Sequence, residues 1–132
     1  MLRELRESVV GNDISFPGFI SDTSALYSKA DIYFQPSIIE SQGISVIEAM
    51  AYGLPCVVSN SGGMTESIED GKEGFVLDPF DKCGFIQAIS SLISDEKLRK
   101  ELGKNATKKA KTLFTKNKWI NEMDRILESI LG

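Results

Sequence analysis

The sequence predicts an α/β fold: a mostly parallel sheet of about four strands, helices on both faces, and a helical C-terminal tail. Three observations carry this reading. Up to about residue 80, short apolar runs alternate with longer helical patterns. Glycine, proline, asparagine and aspartate mark the boundaries between them. From residue 81 onward, apolar residues recur only at helical spacing. Strands separated by helices pair in parallel through crossovers. A chain of 132 residues, 42% hydrophobic, suits one domain built on one core.

The elements follow in order. Residues 1–10 read as a helix ended by Gly11-Asn12. Ile14-Ser15-Phe16 reads as a short strand stopped by Pro17-Gly18. Residues 23–29 form a short helix with Asp22 or Thr23 as N-cap. Residues 31–35 form a strand closed by Pro36-Ser37. A helix over about 43–52 ends at Gly53 and Pro55, and its apolar residues Ile44, Val46, Ile47, Ala49, Met50 and Ala51 predict burial almost all round. Residues 55–59 are a buried strand, 60–63 a loop, 64–69 a short helix and 75–77 the last strand. Three apolar stripes then predict three tail helices: Phe85 to Ile93, Leu98 to Leu113 and Trp119 to Ile130. Asp95 is the expected cap of the middle one, and Asp78 and Asp81 flank Pro79 in turn and cap roles. Tyr27 and Trp119 sit on apolar stripes and read as core.

Composition excludes several classes of function. There is no histidine, so the chain offers neither a histidine base nor a histidine-rich metal site. Cys56 and Cys83 have no metal-ligand or redox spacing, and Cys56 reads as a small buried apolar residue in a reduced, cytoplasmic protein. No apolar run approaches the length of a membrane span, and the charged first residues are not a signal peptide. A net charge of −4 argues against a nucleic-acid partner. Lysines and Arg99 crowd residues 97–118. This run reads first as a solvated helix face and second as a patch for the inner membrane surface.

In a parallel α/β sheet, ligands sit at the carboxyl ends of the strands. The loops there are residues 36–42 and 59–63. The first carries Glu40-Ser41-Gln42-Gly43-Ile44-Ser45-Val46-Ile47-Glu48, two carboxylates bracketing a glycine and a helix start. A helix start presents unpaired N–H groups and partial positive charge, so it suits a phosphate or diphosphate. Gly43 lets a bulky anion approach the backbone. Glu48 lies roughly 7 Å farther along the axis, within reach of both hydroxyls of a ribose whose phosphates sit at the helix start. Glu40 precedes the helix and faces whatever hangs from the other end of the diphosphate. Two glutamates alone are weak evidence, since the pair also reads as two solvated side chains. Gly62, Gly63 and Glu66 stand as a second pocket wall, with Glu66 equally fitted to cap the next turn. No arginine or lysine lies in these loops to neutralise a diphosphate, and Lys72 is the nearest basic residue on the far side.

The ordered set is far more specific. It comprises Phe16-Pro17-Gly18-Phe19, Leu26 to Asp31, Pro36-Ser37, Glu40 to Glu48, Glu48-Ala49-Met50-Ala51-Tyr52-Gly53-Leu54-Pro55, Ser59 to Glu66 and Asp70-Gly71-x-x-Gly74. It resembles the C-terminal, nucleotide-sugar-binding half of a GT-B retaining glycosyltransferase of glycosyltransferase group 1. The resemblance covers roughly residues 14–80, and the tail is compatible with it. It implies one partial Rossmann-like domain over 1–132, with the donor-site loops in 1–80 and C-terminal helices in 81–132.

The resemblance also implies a hexosyltransferase-type reaction: transfer of a glycosyl group from a nucleotide diphosphate-sugar with retention. Glu48 would bind the ribose, and Glu40 would contact the donor sugar near the reacting carbon. The backbone N–H groups around Gly43 and Ile44 would hold the diphosphate, and Ser41 and Gln42 would be donor-binding residues of the same loop. No metal or other cofactor is expected. Gln42 departs from the family, which often has phenylalanine there. The opening strands, their cations and the acceptor domain have no counterpart in this sequence. The resemblance therefore implies a fragment, inactive by itself, whose Ile32 strand has an open edge for a second copy or for the missing acceptor domain. The competing reading is a non-catalytic nucleotide-binding or protein-interaction module of the same fold.

Overall fold

The computed structural model describes residues 13–39, 44–113 and 125–131. The expected helix over 1–10, the motif residues Glu40, Ser41, Gln42 and Gly43, and Trp119 lie outside the described residues. The described elements are α1 (Ser24–Lys29), β1 (Tyr33–Gln35), α2 (Ile44–Ala51), β2 (Cys56–Ser59), α3 (Met64–Ser67), β3 (Gly74–Leu77), α4 (Lys82–Ser94) and α5 (Glu96–Leu113), with a further helix over 125–131. The sheet is parallel throughout, in the order β1-β2-β3. Tyr33 is opposite Cys56, and Cys56 is opposite Gly74.

The expected alternation and its layers are present. β2 is buried along its whole length, as a central parallel strand covered on both faces must be. Its side chains alternate between two cores. Cys56 and Val58 join Val46, Ala49 and Met50 of α2, Met64 of α3, and Ala106 and Ala110 of α5. Val57 joins Phe85, Ala88 and Leu92 of α4 and Leu102 of α5. One long helix thus closes both layers. Burial pushes the Cys56 thiol up to about 12, with Glu73 adding to the effect, so it packs as an unreactive apolar group.

Local chemistry explains the boundaries. Thr23 is the N-cap residue of α1 and makes no side-chain cap bond; the neighbouring Asp22 supplies the side-chain cap, its carboxylate accepting from the Ser24 N–H at 3.0 Å and the Ser24 hydroxyl at 2.6 Å. α2 ends in a Schellman turn: Gly53 takes φ +77°, its N–H donates to Met50 O, and the Leu54 N–H donates to Ala49 O. Asp81 accepts from the Gly84 N–H to start α4, and Asp95 accepts from the Leu98 N–H to start α5. Asp78 accepts from the Phe80 N–H in the intervening turn. α5 crosses the end of α2 so closely that a Cβ on Gly103 would sit 2.2 Å from Gly53 O.

Two expectations are corrected. Ile14-Ser15-Phe16 forms no strand, so the sheet has three described strands rather than about four. A run of three residues is at the short limit of strand length, and its composition alone does not make it a strand. α2 is also not buried all round. Val46, Ala49 and Met50 are buried, whereas Ile44 is 55% exposed and Ala51 is exposed. Ile44 and Glu48 share an exposed face of α2. The third stripe is exposed as well where it is described, at Ile126, Leu127 and Ile130.

Candidate functional site

The carboxyl ends of β1 and β2 each feed a loop that leads into a helix. The two loops are tied together by hydroxyl groups. The Ser37 carbonyl accepts from the hydroxyls of Ser59 and Ser61, the latter at 2.7 Å, and those two hydroxyls lie 3.0 Å apart. Gln35 Nε2 donates to Ser37 Oγ at 3.2 Å. Ser37 is thus a structural turn residue, as the sequence suggests. The fully buried Ser59 and its neighbour Ser61 were not singled out from the sequence. Their only signal is the clustering of small hydroxyl residues at the carboxyl ends of the strands.

α2 follows β1 in the chain. Ile44 opens the helix, and Glu48 lies one turn later on the same exposed side. Glu48 has a fixed neighbour. Tyr27 of α1 donates its phenol to Glu48 Oε2 at 3.2 Å and lies 3.5 Å from Ser45 O. The Tyr27 ring stacks on Tyr52 (centroids 5.5 Å, planes 29° apart) and approaches Tyr33 at 6.3 Å. Partial burial raises the Tyr27 pKa, and the Glu48 charge beside it raises it further, so the phenol keeps its proton as a donor. Tyr27 does pack against the core as expected. Its contact with Glu48 was missed, because a periodic pattern places a ring but not its hydroxyl.

The second loop leads into α3. Gly62 takes φ +57° and Gly63 precedes the helix. Thr65 and Ser67 hydroxyls donate to the carbonyls of Gly62 and Gly63. Met64 packs into the core cluster that holds Val46 and Met50, which sets α3 beside α2. Glu66 is exposed, and its carboxylate caps no turn among the described residues.

Lys72 is elsewhere. The turn that carries it precedes β3, at the amino end of the sheet, since Gly74 pairs with Cys56, the first residue of β2. Lys72 pairs there with Glu69 at 2.9 Å and borders a cleft of about 310 Å³ with Glu73, Asn105, Lys108 and Lys109. The carboxyl-end loops therefore contain no lysine or arginine among the described residues. What they present is a helix start, a carboxylate held by a phenol, and a hydroxyl-clamped pair of loops. That arrangement suits a ligand with an anionic part and a hydroxylated part.

The family of glycosyl transferases group 1 matches residues 2–109. Mannosylfructose-phosphate synthase of Agrobacterium fabrum is 30% identical over 138 aligned residues, covering 100% of this chain and 30% of that protein. HepE of Anabaena, solved in complex with UDP-glucose, superposes with a TM-score of 0.90 at 26% identity, covering 97% of this chain and 36% of that one. The C-terminal domain of the group 1 protein LpcC of Francisella tularensis gives a TM-score of 0.76 at 26% identity, covering 87% of this chain and 60% of that domain. The chain spans 19–34% of the length of the first curated relatives it matches. With its parallel sheet flanked by helices, it has the fold expected for part of a GT-B C-terminal domain and belongs to the glycosyl transferases group 1 family.

Proposed function

We propose that this chain forms the donor side of a glycosyltransferase that moves a hexosyl group from a nucleotide diphosphate-sugar with retention. The observation that carries the reading is Glu48, exposed on α2 one turn from Ile44 and held by the Tyr27 phenol at 3.2 Å. The relative HepE, whose structures hold UDP-glucose, UDP, or UDP with glucose, supports the choice of ligand class. In this reading Glu48 accepts both ribose hydroxyls. The backbone N–H groups of Gly43 and Ile44 receive the diphosphate, with Ser41 and Gln42 as further donor-binding residues. Glu40 faces the sugar near its reacting carbon, and Gly62, Gly63 and Glu66 line the far wall. No metal is required. The leaving diphosphate is stabilised by fixed dipoles and by cations from outside these loops. Without those cations the 132-residue chain binds donor but does not transfer. A thermal-shift screen with UDP- and GDP-sugars tests this: at least one nucleotide-sugar is expected to raise the melting temperature, while free sugars do not.

The β1 side of the described sheet bears on the partner. β1 stands at one end of the order of described strands, and Phe34 on it is 47% exposed although its ring meets Phe85 edge-on at 5.5 Å. Ile14, Ile38 and Ile39 are exposed as well. Exposed apolar side chains recruit a partner. The proposal is that further polypeptide covers these side chains, and that the 132-residue chain by itself pairs through them with a second copy. Light scattering is expected to show a concentration-dependent mass above that of one chain, lowered by Phe34→Lys. A clean monomer at every concentration contradicts the pairing.

A further inference from the structure

A glutamate on an exposed helix face samples many rotamers, and fixing it on a ligand costs side-chain entropy. Glu48 is already held. One of its two carboxylate oxygens accepts from the Tyr27 hydroxyl at 3.2 Å, which leaves Oε1 and the remaining lone pairs for other donors. The hydroxyl is itself anchored. The Tyr27 ring is stacked on Tyr52 and leans on Tyr33, and both it and Tyr33 pack against the core cluster beneath α2. α1 carries the ring and is fixed at its start by the Asp22 cap, whose carboxylate pKa is lowered by the hydrogen bonds that it accepts from the Ser24 hydroxyl and N–H. The line of restraint thus runs from the Asp22 cap through the Tyr27 ring to the Glu48 carboxylate.

We infer that Tyr27 is a positioning residue that holds Glu48 in the rotamer that receives the ribose hydroxyls. The inference rests on the reading of Glu48 as the ribose acceptor. Tyr27 itself touches no donor atom in this account. Its effect reaches the ligand only through Glu48, which separates it from a residue that merely packs α1 against α2.

The test uses Tyr27→Phe, which keeps the ring and its stack on Tyr52 and removes only the hydroxyl. In the ligand-free chain, side-chain scalar couplings of Glu48 are expected to report one dominant rotamer in the parent and averaging in Tyr27→Phe. Averaged couplings in both overturn the inference whatever the ligand is. In titrations with UDP and GDP, Tyr27→Phe is expected to weaken whichever binds about fivefold, and to leave the 2′,3′-dideoxy nucleoside diphosphate unchanged. In a Glu48→Ala background the same substitution is expected to have no further effect. An equal loss in that background, or an equal loss for the dideoxy ligand, shows a general structural role and overturns the inference. If Glu48→Ala binds the ribonucleotide as the parent does, the ribose reading fails, and the positioning role fails with it.

Discussion

Gly74→Ala is expected to destabilise the chain by about 3 kcal/mol, lowering the melting temperature by roughly 10–15 °C. A Cβ at this position would lie 1.8 Å from Cys56 O and under 3 Å from Cys56 C and N. These are backbone atoms of the central strand, so no side-chain rotation relieves the clash. Gly74 is also held from the other side, since its carbonyl accepts from the Gly71 N–H at 2.8 Å. The β2–β3 ladder must open where it starts, and Cys56 is moved out of the core it shares with α2. Gly71→Ala is the matched control. Gly71 has φ +83° but open space around its missing Cβ, so only the left-handed backbone penalty of about 1 kcal/mol applies. Chemical denaturation of both variants checks the ordering. Equal losses would mean that strand contact at Gly74 is not what excludes a side chain.

Glu48→Ala is expected to weaken nucleotide-sugar binding by about 2–3 kcal/mol, roughly 30- to 150-fold, because a carboxylate accepting two hydroxyls is lost. Stability should change little. Glu48 is exposed, and its carboxylate accepts from the Tyr27 phenol. The carboxylate serves a hydroxylated group and not the diphosphate, which it would repel. The dideoxy nucleotide should therefore bind parent and variant alike. Calorimetric titration of the four combinations checks this. A uniform loss across ligands would assign Glu48 a role in holding α2 instead.

Much of this architecture was legible because it is local. Gly53 followed by Pro55 reads as the end of α2, and the Schellman turn is there. Asp81 and Asp95 read as caps, and each accepts from the N–H three residues on. The alternation of Cys56, Val57 and Val58 between two cores follows from period-two geometry within a run apolar enough to be buried on both sides. What failed depended on neighbours. Ile14-Ser15-Phe16 has the composition of a strand, but strand formation is decided by the rest of the sheet, and these residues take no strand. The apolar outer face of α2 predicted a covering layer that the described residues do not provide. Within the site, the position of Glu48 followed from helix geometry, but the groups that organise it did not. Tyr27 reaches it across 21 residues of sequence, and Ser59 and Ser61 reach Ser37 across 22 and 24. Such contacts leave no periodic trace in a sequence.

The central claim is that the carboxyl-end loops and the start of α2 receive a nucleotide diphosphate-sugar. Amide chemical shifts of the labelled chain, followed during titration with UDP-glucose and a set of GDP-sugars to millimolar concentration, test it most directly. Saturable shifts are expected at Ile44, Ser45 and Glu48 and at Ser61, Gly62 and Gly63. Lys104, Lys108 and Lys111 on α5 should stay unmoved. Shifts confined to that lysine-bearing face, or no saturable shift with any nucleotide-sugar, would contradict the account.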